Sequence, residues 1–300
     1  MSGARLPARD LLLLLVICIV WAGNFLTSAF ALREIPPFLF TAVRLVILAL
    51  LLAPFVRAPP RDQWPRLVAV ALVNGVLHFG TSFWALRLSG DLASPAIVMQ
   101  SYVPMSALIA WLLLGERFGW RTGLAIALSF GGVLVLGFDP LVLAHPAALY
   151  TMLVSALFLA VGTVLMRGLS GIGMPSQQGW TAILGIGPLL VLSAVFEPDG
   201  FTSLGEASWI GWGGAAYSAV FASLLGHGLY YLLVQRHPVA EVTPYLLLSP
   251  LMAIGLGIAF WGDHPGPRLY VGGAMLLGGV LAIALRAKAR ARPMPAAEEI

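Results

Sequence analysis

The sequence predicts an all-α polytopic membrane protein in which ten transmembrane helices form two five-helix repeats of inverted topology, with both termini in the cytoplasm. Three observations support this fold class. Hydrophobic residues make up 59% of the 300-residue chain and charged residues only 10%, which excludes an ordinary soluble domain. The charged residues divide the chain into ten apolar runs, and one segment of the first half recurs in the second half.

Each apolar run is long enough to cross a bilayer as a helix, since about 20 residues span a hydrocarbon core roughly 30 Å thick. Short connections rich in Gly and Pro separate the runs. The ten spans are expected near residues 11–32, 36–56, 66–86, 92–114, 119–137, 147–166, 178–196, 208–233, 239–261 and 267–286. These runs leave no room for a soluble domain.

The internal repeat extends from Gly115 to Leu134 and returns without a gap, 147 positions later, as Gly262 to Leu281. Within it, Glu116 of the first copy becomes Asp263 of the second. Because five spans are an odd number, the second copy is expected to start on the opposite side of the bilayer. Residues 1–143 and 144–300 are therefore predicted to form inverted halves, an architecture typical of secondary transporters.

The distribution of basic residues predicts that both termini are cytoplasmic. Of the 17 Lys and Arg residues, only Arg33, Arg87 and Arg268 then lie on the far side, while Arg44 lies within a span. This topology explains the net charge of +4 without nucleic-acid binding. The expected partners are the lipid bilayer and a small-molecule substrate, and no oligomeric state follows from the sequence.

Polar side chains in the third and eighth spans recur at the spacing of one helix face. The two stripes consist of Asn74, His78, Thr81 and Ser82, and of Ser223, His227, Tyr230 and Tyr231. Because polar groups are costly in hydrocarbon, both stripes are expected to face the interior or a wet cavity. Two interpretations remain open for these residues and for Asn24 of the first span: they line a substrate path, or they hydrogen-bond across helix contacts.

Aromatic residues supply a second kind of contact, because an ammonium group binds over aromatic faces and an aromatic side chain stacks on them. The candidates are Trp21, Trp84, Tyr102, Tyr230, Tyr231 and Tyr245. The alternative is a place in the belt of Trp and Tyr at the membrane surface. Tyr102 is the strongest candidate, because it lies deep in the fourth span beside Gln100 and Ser101, which are also predicted to contact substrate.

Three further residues within spans invite a mechanistic interpretation. Arg44 is the one formal charge deep inside a span, and it either anchors a substrate anion or serves as a structural hydrogen-bond hub. Pro104 and Pro250 interrupt the hydrogen bonding of the fourth and ninth spans. Breaks at matching positions of two repeats predict hinges near the binding site, with static kinks as the alternative.

The positions of the acidic residues bear on energy coupling. No Asp or Glu lies in the middle third of any predicted span, so the sequence predicts an uncoupled facilitator; titration of His78 or His227 would be the route to proton coupling. The acids near span ends are expected to have a solvated, structural role. They are Asp10, Asp91, Glu116, Glu241 and Asp263.

The sequence contains few features that are typical of an enzyme. No zinc-protease, nucleophile-elbow or phosphate-loop motif is present. Cys18 is alone, so it forms neither an internal disulfide nor a metal cluster. No catalytic residue, metal or cofactor is predicted.

Several short motifs together resemble a known family. In the first half they are Trp21-Ala22-Gly23-Asn24-Phe25, Arg44, Trp84-Ala85-Leu86, Pro104, Trp111-Leu112-Leu113-Leu114-Gly115-Glu116-Arg117 and Gly131-Gly132-Val133-Leu134. In the second half they are Tyr230-Tyr231-Leu232-Leu233, Pro250, Gly262-Asp263 and Gly278-Gly279-Val280-Leu281. The chain resembles the drug/metabolite transporter superfamily in its ten-helix EamA-type branch, and within it the bacterial YddG-type exporters of amino acids, including aromatic ones.

The resemblance implies export of amino acids across the bacterial inner membrane by alternating access. The alternative within the same fold is a proton-coupled exporter of other small metabolites or organic cations. A membrane-embedded enzyme and a receptor that binds without transporting are the remaining classes, and the doubled architecture argues against both.

Overall fold

A computed structural model describes residues 6–290, and the described chain is helical without strands. Within the described residues, ten helices are long and apolar enough to cross a membrane. These spans, the first to the tenth, are Ala8–Ala31, Pro37–Phe55, Arg61–Leu88, Ala93–Leu114, Trp120–Gly137, Pro146–Met166, Met174–Phe196, Trp209–Arg236, Glu241–Trp261 and Pro267–Ala287. The predicted all-α class and the ten spans are confirmed. Arg5 and Arg292, which contribute to the predicted charge bias, lie outside the described residues.

Glycines end the fourth and ninth spans in the same way. Gly115 and Gly262 have φ values of 66° and 85°, in the left-handed region that side chains with a Cβ rarely adopt. The residue after each glycine donates its backbone N–H to a carbonyl six residues back, Glu116 to Ala110 and Asp263 to Gly257, at 3.3 and 3.1 Å. The repeated sequence therefore encodes a repeated helix end.

Two pairs of spans share irregularities at matching positions. The third and eighth spans contain π-helical stretches, Ala71–His78 and Ser218–Gly226, which begin 147 residues apart. The fourth span breaks between Ala93–Met99 and Tyr102–Leu114, and the ninth between Val239–Leu246 and Leu248–Leu256. Pro104 and Pro250 follow these breaks and cannot donate to the carbonyls four residues earlier. Discontinuous helices therefore occur where the sequence predicts them.

The fifth and tenth spans approach each other through glycines. A Cβ added at Gly132 would lie 2.5 Å from the carbonyl oxygen of Gly272, and one at Gly279 would lie 2.5 Å from that of Ala125. Such contact requires the absence of side chains at these positions. The glycine-rich segments of the repeat thus form a packing face within the monomer.

The apolar core is divided into clusters, and the third span joins the two largest. Ala85 packs into a cluster with the fourth, fifth, sixth and tenth spans, while Phe83 and Leu86 pack into one with the first, second and eighth spans. Large apolar side chains also cover the outside, including Leu113 at 74% exposure. An apolar outer surface is what a lipid environment requires.

Candidate functional site

Arg44 of the second span lies in the interior, with 3% of its surface exposed. Its Nε and Nη2 donate to Ser223 Oγ in the eighth span, at 3.2 and 2.7 Å. The guanidinium carbon lies 3.8 Å from the ring centre of Phe79, a cation–π geometry. Among the described residues, Nη1 has no hydrogen-bond partner. Burying a cation without a carboxylate partner costs free energy, so an anionic group bound at Nη1 would stabilise Arg44.

The π-helical stretch of the eighth span places Ser223 against Arg44. Ser223 Oγ donates to the carbonyl of Ser218, five residues earlier, at 2.8 Å. Its oxygen lone pairs then face the guanidinium. The wider π turn thus helps to present a hydroxyl that holds the buried cation.

His78 joins the third span to the sixth. Its Nδ1 lies 3.1 Å from Ser155 O and 2.9 Å from Ser155 Oγ, and that hydroxyl donates to the carbonyl of His78 at 2.9 Å. The side chain of His78 is buried. His78 and His227 both lie near enough to Arg44 for charge interaction, so the three side chains occupy one part of the interior.

An aromatic wall faces this region from the first and eighth spans. The Trp21 ring centre lies 5.3 Å from that of His227 and 6.2 Å from that of Tyr230. Trp21 Nε1 donates to the carbonyl of Ala222 at 3.1 Å, and His227 Nδ1 lies 3.0 Å from the same oxygen. Gly226 leaves room for the indole, because a Cβ there would lie 2.5 Å from Trp21 Nε1.

The break in the fourth span adds polar groups to the same interior. Gln100 and Ser101 lie at the break and Tyr102 begins the next helical segment. Ser101 is fully buried, and its hydroxyl has no partner among the described residues. Tyr102 lies within electrostatic range of Tyr230. We define the central cluster as Trp21, Arg44, His78, Phe79, Ser101, Tyr102, Ser223, His227 and Tyr230.

Other predicted site residues have local partners. Asn24 accepts a hydrogen bond from Ser28 at 3.3 Å. Thr81 donates within its own helix to Leu77, and Asn74 contacts Met166 of the sixth span. Trp84 packs on Phe38, with 4.9 Å between ring centres.

The remaining predicted residues differ in exposure. Gln100, Ser82 and Tyr231 are half-buried, and Tyr245 is 45% exposed. A substrate-binding role for them remains a prediction.

Two residues that contact His78 or Arg44 were missed by sequence reasoning. Ser155 is a single hydroxyl in an apolar span, and such residues are common where helices meet. Phe79 is one of 15 phenylalanines, and its only signal is its place beside His78. Neither residue type carries a pattern that distinguishes it.

The expectation of solvated acids at span ends is wrong for Asp10, Asp91 and Asp263, which are 5%, 1% and 3% exposed. Asp10 lies 2.6 Å from His237 Nε2. Asp91 accepts from the backbone N–H and the hydroxyl of Ser94, at 2.5 and 2.7 Å. Each of these carboxylates is hydrogen-bonded to protein groups and not to solvent water, as buried polar groups generally are.

Asp263 bonds across two spans. Its Oδ2 accepts from the backbone N–H groups of Leu92 and Ala93, at 2.9 and 3.1 Å, at the start of the fourth span. Burial raises the pKa of Asp263, and the charge of nearby Asp91 raises it further; burial also raises the pKa of Asp91. Glu116, the counterpart of Asp263, is 56% exposed and pairs with Arg167 at 2.7 Å.

Comparisons with known proteins agree with this architecture. A probable amino-acid metabolite efflux pump of Escherichia coli K12 is 24% identical over 280 residues, covering 91% of this chain and 93% of the relative. An uncharacterized transporter of Synechocystis is 26% identical, with 84% and 83% covered. The uncharacterized inner membrane transporter YedA of Escherichia coli K12 is 23% identical, with 83% and 82% covered.

A solved crystal structure has the same fold, with a TM-score of 0.64 at 17% identity, covering 94% of this chain and 98% of that one. The model of the EamA-like transporter family matches residues 9–138 and again residues 146–285. The two matches are separated by residues 139–145. Ten helices within residues 6–290 are long and apolar enough to span a membrane, and this protein, a transporter and not an enzyme, belongs to the EamA-like transporter family.

Proposed function

We propose that the protein exports amino acids, including aromatic ones, from the cytoplasm across the inner membrane by alternating access and without proton coupling. The observation that carries this proposal is the buried guanidinium of Arg44, which packs on the ring of Phe79 and whose Nη1 has no partner among the described residues. A zwitterionic substrate needs an anion site and a cation site in one chamber. The central cluster contains groups suited to both.

Arg44 is the group suited to the substrate carboxylate. Two of its nitrogens are fixed by Ser223 and its plane packs on Phe79, so the guanidinium is preorganised for binding. A carboxylate at Nη1 would provide the opposite charge that the protein itself does not place there. This requirement favours a zwitterion over an organic cation, which Arg44 would repel.

The ammonium and the side chain of the substrate would meet Trp21, Tyr102 and Tyr230. Aromatic faces attract a desolvated ammonium by about 2 kcal/mol, and they stack on an aromatic side chain. No hydrogen bond from either tyrosine hydroxyl to protein is found in the described part of the chain, so both hydroxyls are free to bind substrate. The similarity to the Escherichia coli relative, a probable amino-acid metabolite efflux pump, supports the substrate class and the direction.

The architecture supports alternating access. The helix ends, the π-helical stretches and the broken spans recur 147 residues apart or nearly so, as in repeats that exchange roles during transport. We infer that the halves are inverted and that both termini are cytoplasmic. The absence of a carboxylate in the middle of any described span supports uncoupled transport. The competing mechanism is proton coupling through titration of His78 or His227.

Transport by purified protein in liposomes tests the function. We expect uptake of labelled phenylalanine that needs no pH gradient and is competed by unlabelled amino acids. Arg44→Gln should reduce flux at least tenfold by removing the anion site, while Arg87→Gln, an exposed arginine at a span end, should transport normally. Strict dependence on a pH gradient would contradict the uncoupled mechanism. Absence of flux for every amino acid would contradict the substrate class.

A further inference from the structure

The fourth and ninth spans meet at one end and diverge at the other. At the closed end, Ala93–Met99 packs against Leu248–Leu256, and Ala22, Ala96 and Ala253 form a fully buried contact. At the open end, Tyr102–Leu114 packs on the sixth span and Val239–Leu246 on the tenth. No contact of similar extent joins these two segments within residues 6–290.

The 147-residue offset gives each residue of the closed end a counterpart at the open end. Ala96 corresponds to Thr243 and Ala253 to Ser106. Ala96 and Ala253 are 0% exposed, whereas Thr243 and Ser106 are half-buried. The same two surfaces are therefore packed together in one half and separated in the other.

The carboxylates at the span ends differ in the same way. Asp263, at the end of the ninth span, accepts two backbone hydrogen bonds from the start of the fourth. By the same offset, Glu116 at the end of the fourth span has residues 239 and 240, at the start of the ninth, as its corresponding donors. In this structure Glu116 instead pairs with Arg167 and is mostly exposed. Among the described residues, only the Asp263 contact of this equivalent pair is made.

The two halves differ in sequence near these carboxylates, and the differences are compatible with the same carboxylate-to-backbone contact at the closed end and at the open end. A Cβ at Gly257 would overlap the Asp263 carboxylate, so the short acid needs a glycine there. The counterpart of Gly257 is Ala110, and the counterpart of Asp263 is the longer Glu116. Glu116 is thus one methylene longer than Asp263, and the residue that its side chain must extend past, Ala110, is larger than Gly257 by one methyl group.

We propose that Glu116 and Asp263 are positioning residues that alternate in the transport cycle. Asp263 holds the start of the fourth span while the closed end is shut, and Glu116 holds the start of the ninth span when the opposite end shuts. A carboxylate at a helix start satisfies unpaired N–H groups and interacts favourably with the helix dipole. Each closed state then gains one such contact and loses the other. This inference rests on the proposed alternating access.

Cysteine labelling tests the proposal without a substrate. In a Cys18→Ser background, Ala96→Cys reports opening of the closed end and Ser106→Cys reports the open end, each by its rate of reaction with a maleimide. Asp263→Asn should accelerate labelling at position 96 about tenfold and slow it at position 106, because a charged cap is lost from one state only. Glu116→Gln should have the opposite effect at both positions.

Asp139→Asn is the matched control. Asp139 is also buried, and it accepts backbone hydrogen bonds from Leu269 at the start of the tenth span, at 3.0 Å, and from Leu141 in a short connecting helix, at 3.1 Å, but it does not join the fourth and ninth spans. We expect it to lower the melting temperature without changing the ratio of the two labelling rates. Glu116→Gln alters an exposed side chain and is expected to fold, so its predicted slowing at position 96 can be measured even if Asp263→Asn does not fold.

Two results would overturn the proposal: labelling shifts in the same direction for both carboxylate variants, or no shift with Glu116→Gln. Because labelling requires no transported solute, reciprocal shifts in a protein that moves no amino acid would reject the substrate class and leave these roles standing. If the protein transports amino acids but both carboxylate variants are labelled at the wild-type rates, the positioning roles of Glu116 and Asp263 are rejected and the proposed function is not affected.

Discussion

At the scale of single residues, Arg44 and Ser223 depend on each other. The hydroxyl of Ser223 accepts from two guanidinium nitrogens and donates to Ser218, so one oxygen holds a charge that nothing else in the described protein pairs. The sequence indicates that Arg44 is unusual but not which residue holds it. The polar stripe of the eighth span predicts that Ser223 faces the interior, but it does not identify Arg44 as its partner, and the π turn brings the two together.

Ser223→Ala is expected to destabilise the protein by about 1–3 kcal/mol, because it leaves a buried guanidinium without its hydroxyl partner. Thermal unfolding in detergent measures this effect. Ser203→Ala, which removes an exposed hydroxyl bonded only to its own helix, is the control and should unfold close to the wild type. Equal stability of Ser223→Ala and wild type would show that Arg44 does not need this partner.

Glu34 gives a pH-dependent prediction. Its carboxylate accepts from the hydroxyl and backbone N–H of Ser208, at 2.8 and 2.7 Å, and these bonds lower the pKa of Glu34 below its ordinary value of 4.5. A lowered folded-state pKa means that the stabilisation is complete above pH 4.5 and is lost as the pH falls through the lowered value.

The difference in melting temperature between wild type and Glu34→Gln should therefore be present at pH 7 and disappear in acid. Glu206→Gln, an exposed glutamate that makes none of these contacts, should match the wild type at pH 7. A difference for Glu34→Gln that grows on acidification would contradict this sign.

At the scale of helices, the glycines of the fifth and tenth spans fall into two kinds. Some allow close packing of two helices, and others only lower the helix propensity of their own span. Gly132 faces the backbone of Gly272 at a distance that leaves no room for a methyl group, whereas Gly278 of the tenth span faces open space. The internal repeat identifies both as recurring glycines. It does not distinguish the glycine that packs from the one that is free.

Gly132→Ala should therefore destabilise the protein by about 1–3 kcal/mol, since the added methyl group forces two backbones apart. Gly278→Ala should be neutral or stabilising by up to about 1 kcal/mol, because alanine favours a helix over glycine. Thermal unfolding of the two variants compares them directly. A larger loss for Gly278→Ala than for Gly132→Ala would contradict the described contact.

The ten spans could be predicted because length and apolarity are properties of local sequence, and the breaks in the fourth and ninth spans because Pro104 and Pro250 remove backbone donors. The π-helical stretches could not. The polar stripes of the third and eighth spans fit an ordinary α-helical period, and no residue in them marks the additional residue of a π turn. The resulting rotation sets which residues meet, so the His78–Ser155 contact was also not predictable.

At the scale of the whole molecule, carboxylates join separate parts of the chain at one face. Four acids from other connections accept backbone hydrogen bonds near the starts of the second, fourth, eighth and tenth spans. They are Glu197, Asp263, Glu34 and Asp139. Because successive spans alternate in direction, these four starts lie on the same face. That face is the closed end of the fourth and ninth spans.

The charge bias predicts which face this is. If basic residues are cytoplasmic, the closed face is periplasmic and both termini lie inside the cell. A green fluorescent protein fused to either terminus should fluoresce, since it matures in the cytoplasm, and alkaline phosphatase at the same positions should be inactive. An active phosphatase at either terminus would refute this orientation.

The shared position of the two π-helical stretches has a historical consequence. Each stretch needs one residue more than an α-helix of the same rise, and both begin at the same place of their repeats, Ala71 and Ser218. A single insertion in an ancestral five-helix gene explains both, whereas two insertions after duplication would have to coincide. We infer that the irregularity is older than the duplication.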